Sequence, residues 1–111
     1  MEQEELGYYG RKIVQLIDDF YPLIERSYNG KYNVVDDILD LSTAIQKADL
    51  TERQAQVIRL MADGYTQEES AEVIGISRQM VGKHINAAIR KIAKVYEQWA
   101  RANKDTKGET E

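Results

Sequence analysis

The stretch TQEESAEVIGISRQMVGKHIN, from Thr66 to Asn86, decides the fold of this chain. It predicts a short helix, a tight turn at Gly75 and a second helix opened by Ser77. Thr66 can cap the first helix while Glu69 reaches back to it, a reciprocal capping box. Ala71 falls where two helices must approach closely, and a small side chain suits that position. Gly75 sits where the chain reverses, and a positive φ is cheap only for glycine. Ile74, Ile76, Val81 and Ile85 supply apolar contacts that lock the second helix across the first. The set forms the layout of a helix-turn-helix, whose second helix enters the DNA major groove.

Working outward, residues 10–28 place Ile13, Leu16, Ile17, Phe20, Ile24 and Tyr28 at a helical period. Pro22 should kink or divide that segment, and Asn29-Gly30 is a stop signal. A second helix is expected from about Val34 to Ala48, with Val35, Ile38, Leu41, Ser42 and Ile45 on one side. Thr51, with Gln54 three residues on, opens a third helix lined by Val57, Ile58, Leu60 and Met61, and Gly64 ends it. The fourth runs from Gln67 to Ile74. The fifth should extend from Ser77 to about Arg101, roughly 37 Å. Its seam is Val81, Ile85, Ala88, Ile92, Val95 and Trp99. The distal part must bury Val95, Tyr96 and Trp99 on the N-terminal helices or on a second subunit, which leaves a homodimer open. The tail from Asn103 is polar and is expected to be disordered. The expected architecture is all-α with about five helices. It comprises a helical extension over 1–49, a DNA-binding domain over 50–102 and a tail over 103–111.

A wheel of 100° per residue turns Gln79, Lys83, Asn86 and Arg90 away from the seam, with Gly82 bordering that face. Gln79 and Asn86 carry the paired donor and acceptor that match adenine, and Lys83 can reach guanine or a phosphate. Arg78 opposes the dipole of its own helix, and a nearby phosphate or guanine would explain it. Arg90, Lys91 and Lys94 lie further along, where they would hold the DNA backbone. The competing reading of these residues is a solvated helix face.

Residues 50–94 resemble region 4 of bacterial sigma factors and the DNA-binding domain of LuxR-type regulators. Leu50-Thr51-Glu52-Arg53-Gln54 is similar to the opening of that module, and Met61 to Glu69 to its middle. Gly75-Ile76-Ser77-Arg78 with Val81 resembles the turn and recognition helix, and Ala88 to Ile92 the close. The resemblance implies a compact helical domain that reads a promoter element and, in sigma factors, docks on RNA polymerase. It also exposes departures. Gln79 stands where primary sigma factors carry glutamate, and Gly82 replaces a base-reading arginine, which implies a changed target sequence. Phage- or mobile-element-encoded sigma-like regulators are of this free-standing kind. Residues 1–49 are too short and acidic to resemble the promoter-melting region, so transcription initiation by this chain alone is not expected.

The chain's 111 residues, 42% hydrophobic, suit one domain or one domain with a small extension. It has no cysteine, which excludes disulfides and cysteine-ligated metals. The start, Met-Glu-Gln-Glu-Glu, is acidic where a signal peptide would be basic, and no apolar run approaches a membrane span, so a cytoplasmic protein is expected. The net charge of −4 divides unevenly: residues 1–50 carry 5 basic and 10 acidic side chains, whereas 77–101 carry 6 basic and 1 acidic. Phosphates meet the local field, so the acidic total does not exclude DNA.

Enzyme chemistry finds no support. Asp18-Asp19 and Asp36-Asp37 are adjacent pairs that diverge by 100° on a helix. No glycine-rich phosphate loop exists, and His84 is the only histidine. His84 is expected to pack beside the seam, without a metal or other cofactor. Tyr8, Tyr9, Tyr21, Tyr28 and Tyr32 crowd the first half, where they would cover a small core or face a partner. Three functions remain open: a regulator reading DNA, an RNA polymerase adaptor, and a DNA-packaging or recombination accessory.

Overall fold

The computed structural model describes residues 7–20, 22 and 32–110. The helices bounded at both ends within the described residues are α1 (Gly7–Asp18), α2 (Tyr32–Lys47), α3 (Glu52–Ala62), α4 (Gln67–Ile74) and α5 (Arg78–Thr110). The described residues contain no strand, so the fold is all-α. None of these helices is long and apolar enough to cross a membrane.

Local chemistry sets the helix ends. At α3, Gln54 N–H donates to Thr51 Oγ1 at 3.1 Å and Thr51 N–H to Gln54 Oε1 at 3.0 Å. The same reciprocal pair opens α4, with Glu69 N–H to Thr66 Oγ1 at 3.1 Å and Thr66 N–H to Glu69 Oε1 at 2.8 Å. Each box satisfies two donors that the first turn of a helix leaves orphaned. Gly75 stops α4 in the left-handed region, at φ 82° and ψ 33°. Its N–H and that of Ile76 both reach Ala71 O, at 2.8 and 3.2 Å.

α5 is the spine, and every other helix packs on it; α1 also meets α3, and α3 meets α4. Val81, Ile85, Ala88, Ile89, Ile92, Ala93 and Val95 of α5 are buried with Ile13, Val14 and Ile17 of α1, Leu41 and Ala44 of α2, and Val57 and Ile58 of α3. These residues form one cluster, so α1 shares its core with the helix-turn-helix. Full burial of each large aliphatic side chain stabilises the fold by roughly 1.5–3 kcal/mol before chain entropy is counted.

Several expectations shift. α1 begins at Gly7 and ends at Asp18. Asp19 is a turn and Phe20 and Pro22 are helical beyond it, so the segment is divided near the proline, whose missing N–H is tolerated only in the first turn of a helix. Ile24, Tyr28 and the Asn29-Gly30 stop lie outside the described residues. On α2, Ser42 is exposed and Ala44 buried, so the inner face is Leu41, Ala44 and Ile45 rather than one containing Ser42. The Val35 side chain is likewise outside the described set. Leu60 and Met61 are only half-buried. α5 runs on to Thr110, through the stretch read as disordered; no proline interrupts it, and Lys104, Lys107 and Glu109 favour helix. Asp49, after α2, adopts φ 54° without being glycine, which the sequence reading missed.

The distal seam is covered within the chain. Tyr96 lies 6.1 Å from Tyr9 of α1 and 5.3 Å from Trp99, ring centre to ring centre. Tyr9, Leu16, Asp37, Asp40, Tyr96 and Trp99 line one groove there. Burial first, and then the Asp40 and Asp37 carboxylates, push the Tyr96 hydroxyl up to about 12. Tyr8 is exposed and packs edge-on to Tyr9 at 5.1 Å.

Candidate nucleic-acid interface

Ser77 opens α5: its Oγ accepts from Met80 N–H at 3.1 Å. Capping there leaves the first turn free of acidic residues, so its positive dipole end is not neutralised from within. Val81 and Ile85 point into the core, and this fixes the rotation of the helix. Arg78, Gln79, Gly82, Lys83 and Asn86 then line one open cleft. Five of the eight expected site residues are therefore brought together.

A sixth residue completes the cleft: Gln67, the first residue of α4. The helical wheel of α5 does not single it out, because it belongs to α4. The available signal was its position directly after the Thr66 cap, where α4 meets the start of the second helix. A Cβ built on Gly82 would lie 3.4 Å from Gln67 Oε1, so the Gln67 amide sits directly over the missing side chain. Asn86 is half-buried, and its Oδ1 is buried without accepting a hydrogen bond.

The remaining expected contacts separate. Arg90 and Lys94 are exposed further along α5. Lys91 instead turns inward, its Nζ donating to Gln54 Oε1 at 2.9 Å, so that ammonium ties α5 to the cap of α3. Arg78 has a protein partner that the sequence reading did not provide, Glu68 Oε1 at 3.7 Å. Both side chains are exposed, and a pair of this kind contributes only about 0–1 kcal/mol. A phosphate could displace it. His84 is half-buried, beside the seam. On α4 the residue driven fully inward is Ser70, with Ala71 partly buried next to it.

A short capped helix, a left-handed glycine turn and a second helix with a polar, cationic outer face define a helix-turn-helix of the DNA-binding class. Residues 40–92 match the family model described as Sigma-70, region 4, and form a sigma region 4-like helix-turn-helix domain. The match starts ten residues before the expected boundary at Leu50, inside α2. No curated protein and no solved structure matches the chain significantly.

Proposed function

We propose that this chain is a sequence-specific DNA-binding regulator of transcription that reads the major groove with the first turns of α5. The cleft of Gln67, Arg78, Gln79, Gly82, Lys83 and Asn86 carries this reading. It gathers amides that can bond base edges in two directions and cations that can bond phosphate or guanine. The family match over residues 40–92 supports the same assignment. Tyr9 of α1 packs on Tyr96 and Val95 is buried, so the distal part of α5 has a partner within the chain.

Selection from a random DNA pool at fixed salt, with the wild type and Gln79→Ala, tests it. The expected result is an enriched motif that relaxes at one position in the variant. Salt-sensitive binding with no enriched motif would overturn it. A second reading, an adaptor whose main partner is RNA polymerase, is favoured by the Sigma-70 match itself. Capture of polymerase by a chain carrying both Arg78→Ala and Lys83→Ala would support that alternative.

A further inference from the structure

Gly82 lies in the middle of the proposed reading face, yet it contributes no side chain there. Its φ is not in the positive range, so the backbone does not require glycine. The space above it is not closed by helix packing, because the only atom that an added Cβ would approach within 4 Å is Gln67 Oε1, at 3.4 Å. The glycine thus leaves a shallow gap in α5, and the amide at the end of a flexible Gln67 side chain reaches into it. Gln67 is half-buried and lines the same open cleft as Gln79, Lys83 and Asn86. Its side chain belongs to α4, but its polar end stands among those of α5.

We propose that Gln67 is a specificity-determining residue that reads a base edge through the gap at Gly82, and this inference rests on the DNA-binding reading above. A glutamine amide offers one acceptor and two donors, the pattern that pairs with the N6 and N7 edge of adenine. Position 82 therefore contributes by being empty: one base is recognised from the neighbouring helix. Asn86 completes the arrangement. Its buried Oδ1 accepts nothing within the protein, so no such bond fixes which way its amide faces, and a bound base can set it.

Three variants separate this role from simple packing: Gln67→Ala, Gly82→Leu and the two combined. Each is checked for folding by circular dichroism and thermal melting, then put through the same DNA selection as the wild type. Gln67→Ala should lose roughly tenfold or more of its discrimination at one base position while other positions keep theirs. Gly82→Leu fills the gap and displaces the amide, so it should relax that same position, and the double variant should do no more than either alone. If Gln67→Ala weakens binding equally for all sequences, or leaves the motif intact, Gln67 touches phosphate or nothing, and the inference is wrong. If Gln79→Ala alters the motif but Gln67→Ala does not, DNA reading stands and only the role of Gln67 falls. A wild type that enriches no motif removes both.

Discussion

Lys91 Nζ and Gln54 Oε1 are 2.9 Å apart, and that same oxygen accepts Thr51 N–H to close the α3 capping box. One amide oxygen therefore joins the spine helix to the start of α3, and Gln54 is buried while holding it. Hydrogen bonds to a charged donor contribute about 1.5–3 kcal/mol, less where solvent reaches the ammonium. Lys91→Met should lower stability by about 1 kcal/mol in urea unfolding. A double-mutant cycle with Gln54→Ala should return a coupling of similar size. Zero coupling would mean that the contact does not persist in solution.

The cations on α5 should divide accordingly in salt titrations of DNA binding. Lys83→Ala and Lys94→Ala, both exposed, should each reduce the slope of log K against log salt by about 1. Lys91→Met should leave the slope unchanged, since its ammonium is occupied within the protein. An equal loss of slope for all three would place Lys91 on the phosphates.

Gly75 and Asp49 both hold left-handed backbone, and opposite substitutions should have opposite effects. At Gly75, φ is 82° and a Cβ would meet nothing within 4 Å. Gly75→Ala therefore has only a backbone cost, about 1–2 kcal/mol, visible as a lower Tm. Asp49 already bears such a cost at φ 54°. Asp49→Gly should raise stability by roughly 0.5–1 kcal/mol. A lower Tm for Asp49→Gly would show that its side chain contributes more than its backbone strain removes.

Tyr96 links stability to alkaline pH. Its hydroxyl stays protonated up to about 12 in the folded chain against the ordinary 10.0 of tyrosine, through burial and then Asp40 and Asp37. The unfolded chain thus releases this proton first as pH rises. The contribution is complete below pH 10 and is lost between pH 10 and about 12. Solvent screening of a half-buried group reduces it to about 1 kcal/mol. Tyr96→Phe should lack this component of the alkaline decline, and identical pH profiles for the two proteins would contradict it.

Elements with strong local punctuation were legible in the sequence. Thr51 with Gln54, Thr66 with Glu69, and Gly75 each announce a helix end through their own hydrogen bonds or dihedrals. The seam from Val81 to Val95 was legible for the same reason, since a helical period survives whatever packs against it. Relationships between helices were not. Nothing in the spacing of Gln67 and Gly82, or of Gln54 and Lys91, shows that they meet, because side-chain reach across a turn depends on how the helices cross. Lys91 looked like a phosphate contact by proximity along α5, and the packing of α3 turned it inward. Asp49 was invisible because the left-handed position after a helix normally selects glycine or asparagine.

α5 is a single unbroken helix, so residues far apart along it behave as points on a lever. Gln79 and Val95 are sixteen positions apart, about 24 Å along the axis. Tilting such a rod by 10° about Val95 sweeps the reading end through about 4 Å, comparable to the step between adjacent base pairs. The packing of Ile13, Val14 and Ile17 against α5 thereby sets the aim of a surface to which α1 contributes no side chain. A substitution in that remote contact would misalign the chain on DNA without touching any residue that meets it.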